Sequence, residues 1–198
     1  MEIVTLSVGQ LKANCYLLIC PETEECLIID PGDEAGFIGE KILRENLKPT
    51  TIIATHGHFD HIMAVYELKL AFKIPFSANK KDEKIISRMN QSAKWWLKRE
   101  IIEQSPKIDQ FLKEADKIPF GGEYLEVIET PGHTPGGISL YNNSDKILFC
   151  GDIIFENGVA RSDFSYSSTT DLKNSLKKIK QKFKGFLVYP GHGPEFYL

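Results

Sequence analysis

Six consecutive residues, His56-Gly57-His58-Phe59-Asp60-His61, carry four side chains of the kinds that bind transition metals. The run before them (51–55, Thr-Ile-Ile-Ala-Thr) is apolar and β-branched and predicts a buried strand that delivers the cluster to a loop. Successive strand residues point to opposite faces, so four neighbouring ligands converge only from a loop. Gly57 is expected to give that loop its freedom to turn. The chain has five histidines. The two outside the cluster, His133 and His192, each close a Pro-Gly-His triplet after another apolar run. Histidines confined to strand ends beside glycine predict a metal site.

Four segments share one layout, an apolar strand followed by a small residue and then a ligand. They end in His56/His58/Asp60/His61, in His133, in Gly151-Asp152 and in His192. Imidazole and carboxylate without thiolate suit zinc, iron or manganese rather than calcium, which prefers oxygen shells. Seven ligands are too many for one tetrahedral zinc, which takes about four. They suffice for two ions if one carboxylate bridges.

Strands are expected at 3–8, 15–19 and 26–30, then a helix over 35–45 with Ala35, Ile38 and Ile42 inward. After the ligand cluster, Met63, Tyr66 and Leu70 mark a helix, and 75–78 a short strand. Residues 80–117 are charged, poor in glycine and helical in pattern. Within them Ala93, Trp96, Leu97 and Ile101 form one apolar face up to Ser105-Pro106, and Trp95 and Ile102 a second, which predicts a helix buried on two sides. Strands follow at 124–130, 137–141 and 146–150, a helix over 171–182, and a last strand at 186–189. Strands in runs with few helices imply two packed sheets with helices outside.

At 198 residues the chain fits a single domain, 1–198, able to bury a real core. A net charge of −3 without a basic run argues against nucleic acid. No apolar stretch approaches the ~20 residues of a membrane span, and the N-terminus lacks a signal-peptide pattern. Cys15, Cys20, Cys26 and Cys150 form no C-x-x-C pair, and the expected location is cytoplasmic.

The H-x-H-x-D-H cluster, Thr130-Pro-Gly-His-Thr-Pro-Gly136, Gly151-Asp152 and the late Pro-Gly-His-Gly together resemble the metallo-β-lactamase-fold hydrolases. Ala13-Asn14-Cys15-Tyr16-Leu17-Leu18, Ile29-Asp30-Pro31-Gly32 and Arg161-Ser162-Asp163 add similarity to their small glyoxalase II-like branch. The resemblance spans about 3–193, interrupted by 80–117. It implies an α+β, four-layer αββα sandwich with a helical insert at about 80–117. It assigns His56, His58 and His133 to one ion, and Asp60, His61 and His192 to the other, with Asp152 bridging.

The implied cofactors are two divalent transition-metal ions, zinc foremost, with iron or manganese as alternatives. The implied activity is hydrolysis of a small thioester or ester, such as S-lactoylglutathione, by a metal-bridging hydroxide that Asp60 helps to orient. Asp30 would lie beneath a ligand histidine, Arg161 would clamp a substrate carboxylate, and Trp95 would wall the pocket or join two copies into a homo-oligomer. With six residues after His192, the helical domain with which glyoxalase II proper grips glutathione is not expected here. The alternative, from another reaction class, is a mono-iron persulfide dioxygenase using His56, His133 and Asp152; a lactonase or a nuclease ranks lower.

Overall fold

A computed structural model describes all residues, 1–198. The chain starts as a meander of β1 (Glu2–Val8), β2 (Ala13–Ile19) and β3 (Glu25–Ile29). It then crosses over through α1 (Ala35–Arg44) to β4 (Lys48–Ile53), and through α2 (Val65–Phe72) to β5 (Phe76–Ala78). Two short helices follow, α3 (Glu83–Ile86) and α4 (Met89–Leu97), before β6 (Gln110–Phe111) closes a six-stranded sheet in order β1 to β6. Pairing is antiparallel across β1, β2 and β3, and parallel from β3 to β6.

The second half repeats that plan. β7 (Lys117–Phe120), β8 (Glu123–Glu129), β9 (Ile138–Asn142) and β10 (Ile147–Gly151) form a meander. A small hairpin of β11 (Ile154–Phe155) and β12 (Gly158–Val159) precedes α5 (Thr169–Lys182). That helix crosses over to β13 (Leu187–Pro190), which runs parallel to β10, and β14 (Phe196–Tyr197) closes the edge. Ser168 caps α5, its hydroxyl accepting from the Asp171 N–H 3.2 Å away.

Three apolar clusters define the layers. Leu18, Leu27, Ile29 and Ile53 of the first sheet meet Leu125, Val127, Leu140 and Phe149 of the second, forming the centre. The other face of the first sheet packs Leu17, Ile28 and Ile52 against Ile38, Ile42, Leu68, Ile86 and Met89 of the helices. The other face of the second packs Leu148, Cys150 and Val188 against Leu172, Ile179 and Phe183. The result is the αββα sandwich, in which β2 is buried on both faces and, Asn14 apart, reads as apolar sequence rather than as alternation.

Two expectations need correction. In α2 the buried positions are Val65 and Leu68, whereas Leu70 is 61% exposed; a short amphipathic helix turned one step relative to the expected phase. The insert is only half helical. Lys98, at φ 53°, ends α4 in a left-handed turn, and the stretch to Asp109 is held instead by polar ties to the helix. The Asn90 side-chain amide donates to the Glu103 carbonyl at 2.7 Å and its oxygen accepts from the Ser105 hydroxyl at 2.7 Å. Nor is the insert buried on two sides: Trp95 and Ile102 are 70% and 87% exposed.

Candidate metal centre

All four ligand-bearing loops leave the sheets at one edge, after β4, β8, β10 and β13. The cluster after β4 includes a single 3-10 turn, Phe59–His61, and the His61 ring stays 4.3 Å from that of His56. His58 Nδ1 lies 3.1 Å from His56 Nε2 and 3.0 Å from His133 Nε2, so three nitrogens converge on one point. A second convergence joins Asp60, His61 and His192, with His192 Nε2 3.3 Å and His61 Nε2 3.7 Å from Asp60 Oδ2. Asp152 stands between the two groups. Its Oδ2 lies 4.0 Å from His56 Nε2, 3.8 Å from His133 Nε2 and 3.6 Å from His192 Nε2, and its Oδ1 3.5 Å from His61 Nε2.

The far nitrogen of each ring has its own partner, which fixes the ring and leaves the near one facing the convergence. His133 Nδ1 donates to the Arg161 carbonyl at 2.9 Å, and His192 Nδ1 to the Leu11 carbonyl at 3.0 Å. His61 Nδ1 meets Asp30 Oδ2 at 3.1 Å, and His56 Nδ1 the Thr55 hydroxyl at 3.1 Å. His58 is reversed, with Nε2 2.8 Å from the Tyr166 hydroxyl. Asp30 sits beneath His61. It also accepts from the Thr55 N–H at 2.7 Å and hydroxyl at 2.6 Å, which locks β3 to the ligand loop.

The test of whether a cation fits is the fate of the near atoms. Two buried side-chain polar atoms lack any hydrogen-bond partner, His61 Nε2 and Asp152 Oδ1, and both face the second convergence. Unpaired buried polar atoms are costly unless an ion satisfies them. Electrostatics agrees. Burial, aided by the neighbouring histidines, pushes His56 well below the ordinary range, and burial with His133 brings His58 down to about 3. Both are therefore neutral donors. Burial disfavours charge on Asp152, but His61 outweighs it and holds the carboxyl ionised; the same holds for Asp60. Burial also opposes charge on His61, yet Asp152 and Asp60 hold it well above its usual range. Positive charge is favoured where these three groups meet, and a divalent ion would supply it in place of that proton.

Other residues position the loops, and one of them, Asp82, lies in no sequence motif. Asp82, 1% exposed at the start of the insert, accepts from the Gly57 N–H at 2.8 Å, the Thr134 hydroxyl at 2.7 Å and the Gly136 N–H at 2.6 Å. It thereby ties the His56–His58 loop to the His133 loop. Gly57 keeps a negative φ, so its role is not turning freedom. A Cβ there would sit 3.1 Å from that of Asp82, which makes the glycine a close-approach position. Gly191 is stricter: a Cβ would lie 2.0 Å from Asp152 Oδ1. Asn14 donates to the carbonyls of Pro190 and Gly193, holding the loop that presents His192.

A cavity of about 210 Å³ opens over the ligands, walled by Leu11, Phe59, Trp96, Arg161, Phe164 and Tyr166. Arg161 stands at its rim, but its guanidinium is held by Asp163 through two bonds of 2.7 Å and lies 4.4 Å over the Phe164 ring. Trp95 is not in this wall; it lines a neighbouring groove. No helix is long and apolar enough to cross a membrane.

Residues 8–192 match the model of the metallo-beta-lactamase superfamily. A probable metallo-hydrolase, YqgX, of Bacillus subtilis is 33% identical over 96% of this chain and 89% of its own length. The hydroxyacylglutathione hydrolase GloC of Haemophilus influenzae is 30% identical over 98% and 91%. Among solved structures, the BLEG-1 B3 metallo-beta-lactamase superposes with a TM-score of 0.91 at 30% identity, covering 99% of this chain and 94% of that one. With ligand geometry, fold and sequence in agreement over nearly its whole length, this chain belongs to the metallo-β-lactamase superfamily.

Proposed function

We propose that the protein is a two-metal hydrolase of a small thioester or ester of a hydroxy acid. The observation that carries this reading is Asp152, one carboxylate facing both His56/His58/His133 and Asp60/His61/His192. Ligands without thiolate favour zinc, with iron or manganese accepted by the same donors. Two such ions would supply hydroxide at neutral pH and polarise a carbonyl. The protein's own part is to hold the reactants. Asp60, kept ionised beside His61 and His192, is assigned to orient the attacking water. Phe59, Trp96 and Phe164 offer an apolar wall to an acyl chain. Drug-sized sites run from about 300 Å³ upward, so a cavity near 210 Å³ suits a small acyl group. The similarity to GloC supports a hydroxyacyl thioester over other acyl compounds.

The test is a substrate panel on protein of measured metal content: S-lactoylglutathione, a simple thioester, a lactone, a β-lactam and a phosphodiester, plus oxygen uptake with a persulfide. The thioesters are expected to turn over fastest, with a rate rising through a pKa near neutrality. A dominant phosphodiesterase, β-lactamase or oxygen-consuming activity would reject the assignment.

A further inference from the structure

The insert contributes a second concavity that the metal chemistry does not use. A groove of about 600 Å³ runs beside the cavity over the ligands and shares Ser92, Trp96 and Tyr166 with it. Its charged lining is entirely basic, Lys81, Lys84 and Arg88, in a chain whose net charge is −3. Lys81 is already paired with Glu129 at 3.0 Å. Lys84 and Arg88 are exposed on the floor formed by α3 and the turn into α4, without an acidic side chain in the lining to neutralise them. Trp95 adds a 70% exposed indole. Another cation, Lys98, lies 4.1 Å over that ring.

Large exposed indoles beside unpaired cations, next to a reaction cavity, are what an extended anionic group would recognise. The cations raise its local concentration, and the aromatic faces cover its apolar stem. Resting on the thioester-hydrolase reading, we infer that this groove binds the thiol part of the substrate and selects one bearing carboxylate or phosphate. The acyl carbonyl then lies over the ligand set while the anionic tail runs across Trp96 and Tyr166 to Lys84 and Arg88. Arg161 does not serve this role, because Asp163 already holds its guanidinium at 2.7 Å.

The experiment compares lactoyl thioesters that differ only in the thiol: mercaptosuccinate, 2-mercaptoethyl phosphate, 2-mercaptoethanol and thiocholine. At low salt the anionic thioesters are expected to exceed the neutral one about tenfold in kcat/KM, and the advantage to shrink several-fold at about 0.5 M salt. The ratio of the two anions identifies carboxylate or phosphate as the preferred group. In Lys84→Glu/Arg88→Glu the ratio should fall to one or below with metal content retained. Binding is read separately by indole fluorescence with S-methyl mercaptosuccinate, whose Kd should rise about tenfold in the double variant. Thioester turnover without charge preference, a preference that survives the double substitution, or selection of thiocholine by the indoles would overturn the groove assignment. Failure of every thioester to react, with fluorescence binding intact, would reject the hydrolase reading and leave the anion groove standing.

Discussion

Asp152 Oδ1 and His61 Nε2 face each other 3.5 Å apart, both buried and both without a hydrogen-bond partner. A cation between the two atoms would satisfy both, where the metal-free protein has only the charge of a protonated His61. Because Asp152 also faces the other histidine group, Asp152→Ala is expected to lower the content of both ions, from close to two per chain to below one. Loss of several kcal/mol of charge stabilisation corresponds to roughly a thousandfold or more in rate. Elemental analysis separates this from His192→Ala, which should cost one ion only. Retention of two ions by Asp152→Ala would remove the bridging role.

Asp82 should matter almost as much without touching an ion. Asp82→Ala leaves the Gly57 and Gly136 N–H groups and the Thr134 hydroxyl without their shared acceptor. A destabilisation of about 2–4 kcal/mol is expected, with metal affinity down about 10–100-fold. Asp82→Asn keeps one acceptor oxygen and should lose less of both. Urea unfolding and chelator competition on the two variants check the order.

The stability of the metal-free protein depends on pH through its buried histidines. Burial holds His56 and His58 below their ordinary range, so unfolding takes up protons below about pH 6.5, and stability falls as pH drops from there. His61 is held up by Asp152 and Asp60, against burial; His192 is raised chiefly by Asp60, also against burial. Their contribution is complete below about pH 6.5 and is lost as pH rises through their folded pKa. Metal-free stability should therefore peak near pH 6.5. Loaded protein should instead keep gaining stability above it, since metals bind neutral imidazole. Urea midpoints at pH 5, 6.5 and 8 with and without metal read both curves. A metal-free optimum at pH 8 would show that His61 is not the charged partner.

The clustering of these histidines and aspartates was legible because metal chemistry restricts residue type and because strand ends bring such residues to one edge. Asp152 and His192 follow their strands by one and two residues, and His133 follows β8 by four. Asp82 was not legible. A lone aspartate in a charged stretch looks like a solvated residue, and only the crossing of α3 beneath two loops shows it buried. The insert misled for a related reason. Helical periodicity in Ala93, Trp96, Leu97 and Ile101 persists past Lys98, where the backbone turns left-handed and side-chain hydrogen bonds take over. The second apolar line was real as composition, yet Trp95 faces a groove rather than a core.

That placement gives Trp95 two possible uses. An indole 70% exposed beside Lys98 is either a surface for the substrate's tail or a patch where two copies meet. The groove it lines shares Ser92, Trp96 and Tyr166 with the reaction cavity, which favours the first. Trp95→Ala is expected to keep its metal content and its elution volume, and to raise KM for the anionic thioester about three- to tenfold with little change in kcat, as for a group that binds ground and transition states alike. Light scattering over a hundredfold concentration range tests the other use of the indole. A drop in mass for Trp95→Ala with unaltered KM would place this face between two copies of the chain.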